Sequence, residues 1–164
     1  MTVQFVEGKF VEEYSPTIES TFNKEFNFGG RQYSLNILDT AGHADEHSPF
    51  NFSYTMGVDG YILVYSVTSK QSFDSIALLN DKLLDKACSS SVPRLLVGNK
   101  TDLPNRVVSS EDGKALAAKL GIPFVESSAT KNSTVVDVFT AILREIEKNV
   151  DPSPPEAKKK CVIL

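Results

Sequence analysis

Cysteine is scarce in this chain, with Cys88 and Cys161 the two thiols among 164 residues. Two thiols make no disulfide framework and no apolar leader precedes them, so a reducing, cytosolic setting is expected. Surplus basic charge is missing as well: 17 Lys and Arg stand against 21 Asp and Glu, a formal net charge of −4. With no basic stripe to neutralise phosphates, the composition argues against nucleic-acid binding. Long apolar runs are also lacking. The longest, GYILVYSV at 60–67, is too short to cross a bilayer and suits a strand buried on both faces. No repeat is visible, and 41% hydrophobic with 23% charged residues is the make-up of one ordinary globular domain.

What is present alternates between two periods. The opening MTVQFVEG places Val3, Phe5 and Val6 on roughly one face, which predicts the last turns of an amphipathic helix before a polar loop. Phe22, Phe26 and Phe28 alternate up to Gly29-Gly30, and Tyr33, Leu35 and Ile37 alternate after it, which predicts a β-hairpin. A strand at Tyr61–Val67 precedes a helical stripe through Phe73, Ile76, Leu79 and Leu83, and a further apolar run follows at 94–98. Ser109 and Ser110 with Glu111 and Asp112 signal a helix start, Leu116 and Leu120 its apolar face, and Gly121 its end. Phe124 and Val125 make a short strand before a last helix with the stripe Val136, Phe139, Ile142, Leu143 and Ile146. That order predicts an α/β fold, a mostly parallel sheet with helices on both faces. From Asp151 the chain turns proline-rich and charged, and 151–164 reads as a flexible basic tail.

Ligands of open α/β sheets bind beyond the carboxyl ends of the strands, and four segments there carry chemistry. Asn99-Lys100-Thr101-Asp102 follows LLVG: an aspartate can accept two parallel hydrogen bonds from the N1 and N2 hydrogens of guanine, which adenine does not offer. Asn99 can brace neighbouring loops, and the Lys100 stem can lie along a base. Asp39-Thr40-Ala41-Gly42 follows LNIL, where a carboxylate can hold magnesium and a glycine lets backbone approach a phosphate. Ser127-Ser128-Ala129 can offer an amide to a base carbonyl, and in the segment Phe10–Thr17 a hydroxyl can ligate magnesium while Phe10 packs on a base. Each taken alone is equally consistent with a solvated loop or a plain turn.

Together, in this order, they resemble the small GTPases of the Ras superfamily, and FVEGKFVEEYSPTIESTF, GYILVYSVTS, LLVGNKTDL and ESSAT resemble its Rheb branch. The resemblance implies a Ras-like, P-loop NTPase-like domain over residues 1–150, with GTP or GDP and Mg2+ as ligands. Asn99, Lys100 and Asp102 would bind guanine, Ser128 and Ala129 would complete its pocket, and Phe10 would flank it. Thr17 and Asp39 would serve magnesium and Gly42 would sense the γ-phosphate, within two switch segments ordered by the triphosphate. The implied partners are an effector protein at Tyr14 to Phe22, the TOR kinase complex, a GTPase-activating protein and a prenyltransferase.

The pattern also breaks. The family's first strand and its G-x-x-x-x-G-K-[ST] phosphate loop have no counterpart in these residues, and Gly113-Lys114 sits inside a helical pattern. The fold is therefore expected to be N-terminally truncated, without the strand between the hairpin and Tyr61–Val67. About five charged hydrogen bonds to phosphate at roughly 1.5–3 kcal/mol each would be missing, so nucleotide binding and GTP hydrolysis are expected to be impaired. His43 stands where the family's water-orienting glutamine follows DTAG, with one residue inserted near Ala44, and is the sole catalytic candidate. His43, Asp45 and His47 can be read as a metal cluster or, with no fourth ligand, as a solvated loop. Thr130 replaces the usual lysine after Ser-Ala, and Cys88 reads as an inert helix-end residue or a reactive thiol.

The chain closes on Cys161-Val162-Ile163-Leu164 behind Lys158–Lys160, a C-a-a-X signal whose leucine favours a geranylgeranyl group, unless the match is accidental. One lipid and a basic cluster together make a two-signal anchor for the cytoplasmic face of a membrane, with the cytosol as the unmodified location. Two readings stay open: a membrane-tethered GTP/GDP switch whose product extends upstream of Met1, or a truncated, non-enzymatic, lipid-anchored binding protein.

Overall fold

A computed structural model describes residues 1–11, 19–40, 57–87 and 92–148, together with the backbone of 159–163. The chain runs α1 (Thr2–Glu7), β1 (Glu19–Phe28), β2 (Arg31–Thr40), β3 (Gly60–Ser66), α2 (Lys70–Ala87), β4 (Arg94–Asn99), α3 (Ser110–Leu120), β5 (Phe124–Glu126), α4 (Asn132–Lys148) and β6 (Lys159–Ile163). The expected α/β class holds. Among the described residues six strands form one sheet in the order β1-β2-β6-β3-β4-β5, with β1–β2 antiparallel and the other neighbours parallel.

Local chemistry accounts for the element ends. Gly29 and Gly30 have φ of 58° and 77°, the left-handed pair that a tight hairpin turn needs and that side chains resist. Helix α3 opens on a capping box, in which the Ser109 hydroxyl accepts from the Asp112 amide at 3.1 Å and the Asp112 carboxylate accepts from the Ser109 amide at 3.1 Å.

The sheet is covered on both faces, as the alternating strands require. Leu35, Ile37, Ile62, Leu95 and Val97 pack under α1 and α4 with Phe5, Val138, Phe139 and Ile142. Tyr61, Leu63, Tyr65 and Leu96 pack under α2 and α3 with Ile76, Leu83 and Ala117. The opening helix finds its support at a distance in sequence: the Phe5 ring stacks on Phe139 at 3.7 Å between centroids and tilts against Phe26 at 5.3 Å. Thr2 and Gln4 share the buried side of α1 with Phe5, so that face is less apolar than Val3, Phe5 and Val6 predict.

The backbone of residues 159–163, in the stretch expected to be a basic tail, forms β6, parallel to both neighbours: Ile37 pairs with Cys161 on one side and Gly60 pairs with Cys161 on the other. This is the position, between the hairpin and β3, where the sequence reading finds no strand. Without an occupant, the facing N–H and C=O groups of β2 and β3 would be unpaired inside the sheet, at roughly 1–3 kcal/mol for each buried group. The boundary near residue 150 lies outside the described residues.

Candidate functional site

Strands β4 and β5 run in parallel register, Gly98 beside Glu126, so the loops that follow them leave the sheet together. Backbone bonds fasten one loop to the other: the Ser127 amide donates to the Gly98 carbonyl at 2.9 Å, and Thr101 donates to the Ser127 carbonyl from its amide at 3.3 Å and its hydroxyl at 3.1 Å. Lys100 takes φ 68°, a left-handed conformation strained for a side-chain-bearing residue, and the Leu103 amide closes the turn onto its carbonyl at 3.1 Å. That turn sets the exposed Asp102 beside the fully buried Ser128.

Ser128 is the pivot of the arrangement. Its hydroxyl donates to Asp102 Oδ1 at 2.5 Å, accepts from the Thr130 amide at 3.2 Å and meets the Thr130 hydroxyl at 2.6 Å. Its amide donates to the Thr134 hydroxyl at 3.0 Å, and that hydroxyl donates to the Ser128 carbonyl or the Lys131 carbonyl. The Asp102 carboxylate is thereby fixed from one oxygen while the residue faces solvent, the condition for accepting paired N–H donors from a planar ligand. Asn99 Oδ1 is buried with no hydrogen-bond partner among the described residues. Such an acceptor costs about 1–3 kcal/mol unless a donor reaches it, which fits a ligand or loop amide at this place. The described residues therefore fit a guanine edge.

The magnesium set is only partly in view. Asp39 lies inside β2 rather than after it, because the hairpin ladder runs on to Glu19 opposite Thr40. Burial pushes its carboxyl above the ordinary range, while the Thr2 side chain and the amino-terminal charge pull it back. Among the described residues no three His, Cys, Asp or Glu side chains cluster as metal ligands. Asp39 is one carboxylate of the kind magnesium takes, and its expected companion Thr17 lies outside the described residues, as do Gly42, His43, Asp45, His47 and Cys88.

Of the remaining candidates, Phe10 is 48% exposed and stands outside both core clusters. Ala129 follows Ser128 in the same loop and is half-buried. The stretch expected to face an effector divides, with 14–18 outside the described residues and Glu19 to Phe22 opening β1. Sequence reasoning missed Thr101, which ties the β4 loop to Ser127 of the β5 loop, and Thr134, which braces Ser127 and Ser128 from the start of α4. The available signal was a hydroxyl residue inside each motif loop and at the entrance of the following helix.

The sequence profile of the Ras family matches residues 1–148. The GTP-binding protein Rheb of Homo sapiens is 48% identical over 165 residues, covering 100% of this chain and 89% of that protein. Rheb homologues of Dictyostelium discoideum and Drosophila melanogaster are 45% and 43% identical, each across at least 99% of this chain and 88% of their own length.

Proposed function

The chain belongs to the Ras family of small GTPases, and on that footing we propose that it is a Rheb-type GTP/GDP switch acting in TOR-kinase growth signalling from a membrane. The observation that carries the reading is the Asp102–Ser128 bond, which presents a carboxylate where the β4 and β5 loops meet. Asn99, Lys100, Ser128 and Ala129 accompany it as the base pocket. Thr17 and Asp39 would hold magnesium, which when bound neutralises charge on the phosphates. His43 would orient the water that attacks the γ-phosphorus, Gly42 would sense that phosphate, and Tyr14 to Phe22 would meet the effector. A GTPase-activating protein belongs to the same reading.

Grip on the phosphates is the weak part. The 164 residues contain no G-x-x-x-x-G-K-[ST] run, and β6 occupies the strand place beside β2 and β3. Binding by this chain then rests on the base end, with hydrolysis impaired. The same observation supports the second reading, a lipid-anchored binding protein without enzymatic activity. In either case Cys161 is the lipid attachment point: its sulfur displaces diphosphate from an isoprenyl diphosphate, forms a thioether and loses the thiol proton. Lys158–Lys160 would add attraction to an anionic membrane surface.

Titration of the purified chain with fluorescent GDP and GTP, with and without magnesium and in competition with guanosine and ATP, tests this. We expect weak binding, guanosine competing nearly as well as GTP, ATP failing to compete, and Asp102→Ala lowering guanine affinity about tenfold to a hundredfold. Equal competition by ATP would overturn the base site. Micromolar or tighter, magnesium-dependent GTP binding would overturn the impairment and leave the switch reading in force.

A further inference from the structure

The turn that carries Asp102 is fastened at its entrance by the bonds among Gly98, Thr101 and Ser127. Its exit is fastened elsewhere. After Asp102 the chain passes through the exposed Leu103, Pro104 and Asn105 and reaches Arg106, whose guanidinium crosses to the carboxylate of Glu126. Glu126 is the last residue of β5, two positions ahead of Ser128. The far side of the Asp102 turn is thereby joined to the strand that delivers Ser128.

We infer that the Arg106–Glu126 pair is a positioning clamp for base recognition, holding the Asp102 turn at the angle from which both carboxylate oxygens reach a guanine edge. The inference deepens the base-site reading and rests on it, and both residues act through Asp102 and Ser128.

Three features support it. The pair is two-pronged: Arg106 Nη1 donates to Glu126 Oε1 at 2.6 Å and Nη2 donates to Oε2 at 3.3 Å, which fixes direction as well as distance. The arginine is rooted on the sheet, because the Val107 and Val108 amides donate to the Val67 carbonyl at 2.9 and 3.0 Å, just beyond β3. The two side chains keep 31% and 28% of their exposure and belong to neither core cluster. Ion pairs that face water add little to global stability, so a pair spanning these two loops works locally.

Release of the clamp would leave Asp102 held through Oδ1 by Ser128, with its second oxygen free to swing about that bond. Guanosine offers an N1 and an N2 donor and needs both oxygens aligned. Inosine lacks the N2 amino group and needs only one. A loosened turn therefore weakens guanosine more than inosine, whereas general damage to the fold weakens both alike. Salt screens the clamp but meets no charge on either nucleoside.

The test uses the full chain and displacement of fluorescent GDP by guanosine and by inosine. Arg106→Gln and Glu126→Gln should each weaken guanosine about threefold to tenfold and inosine less than about twofold. Combining Arg106→Glu with Glu126→Arg should bring the guanosine preference back to within about threefold of the unsubstituted chain. Raising potassium chloride from about 0.05 to about 1 M should lower the preference of the unsubstituted chain and leave that of the single variants nearly level. Single variants with an unchanged preference, or equal losses for both nucleosides, would overturn the clamp. If neither variant folds, the salt series on the unsubstituted chain decides: a falling preference supports the clamp and a constant one overturns it. An unsubstituted chain that binds no guanosine would overturn the base-site reading instead, and amide hydrogen exchange then judges the clamp by itself. Faster exchange at Thr101 and Leu103 in Arg106→Gln, with β4 unchanged, supports it, and unaltered exchange there removes it.

Discussion

At the scale of single residues, Ser128 joins the stability of the site to its chemistry. Its hydroxyl holds Asp102 and receives the Thr130 amide, so Ser128→Ala leaves one carboxylate unaligned and one backbone donor unpaired. A loss of about 1–2 kcal/mol in urea-unfolding stability is expected, with weaker guanosine binding in the same protein. A stability change with unaltered guanosine affinity would show that Ser128 is only a structural pin. Asp102 stood out as a candidate in the sequence because it is a carboxylate just after a plainly readable strand, where a ligand with paired donors can be met. Thr134 was not singled out, although its partners Ser127, Ser128 and Lys131 all lie just before it: a hydroxyl at a helix entrance is as often a plain cap as the brace of a site loop. The strained Lys100 turn was equally hidden, because a left-handed lysine has no sequence signature.

At the scale of elements, α3 shows how a motif-like pair can be purely a packing solution. Gly113 lies in mid-helix, where glycine is usually unfavourable by roughly 0.5–1 kcal/mol relative to alanine. A Cβ there would come within 2.5 Å of both Phe124 Cζ and Tyr65 Oη. Both are the ends of rigid rings, Tyr65 buried in the core and Phe124 packed against it, so Gly113→Ala should lower the melting temperature despite its better helix propensity, with a net cost of about 1–3 kcal/mol. A rise in melting temperature would mean that the two rings move aside at little cost. The helices and the hairpin were readable from period and end signals, down to the capping serine. The strand β6 was not, because prolines and lysines dominate the local composition of the tail and its pairing partners are far away in sequence. Pairing at that separation depends on a vacancy in the sheet, which only the assembled topology reveals.

At the scale of the whole molecule, two tyrosines of one strand make the fold sensitive to alkali. Tyr61 and Tyr65 are each 1% exposed in the core beneath α2 and α3. Burial pushes both phenols up to about 12 from the ordinary 10. For Tyr65 the nearby Glu126 adds to the rise and Arg106 opposes it. A phenol whose acidity is suppressed by folding keeps its proton in the native state while the unfolded chain loses its own, so the native state binds more protons above pH 10. Stability is therefore unaffected by these groups below about pH 9 and falls as pH rises through 10 toward 12, by up to about 1.4 kcal/mol per pH unit for each tyrosine. Tyr65 Oη also has no hydrogen-bond partner among the described residues. Tyr65→Phe accordingly removes an unsatisfied buried hydroxyl and one of the two titrations: the protein should gain about 1 kcal/mol at neutral pH, and the alkaline slope of its urea midpoint should fall by about half. An unchanged slope would show that the loss of stability comes from other groups. A neutral-pH loss would show that the hydroxyl is hydrogen-bonded in solution.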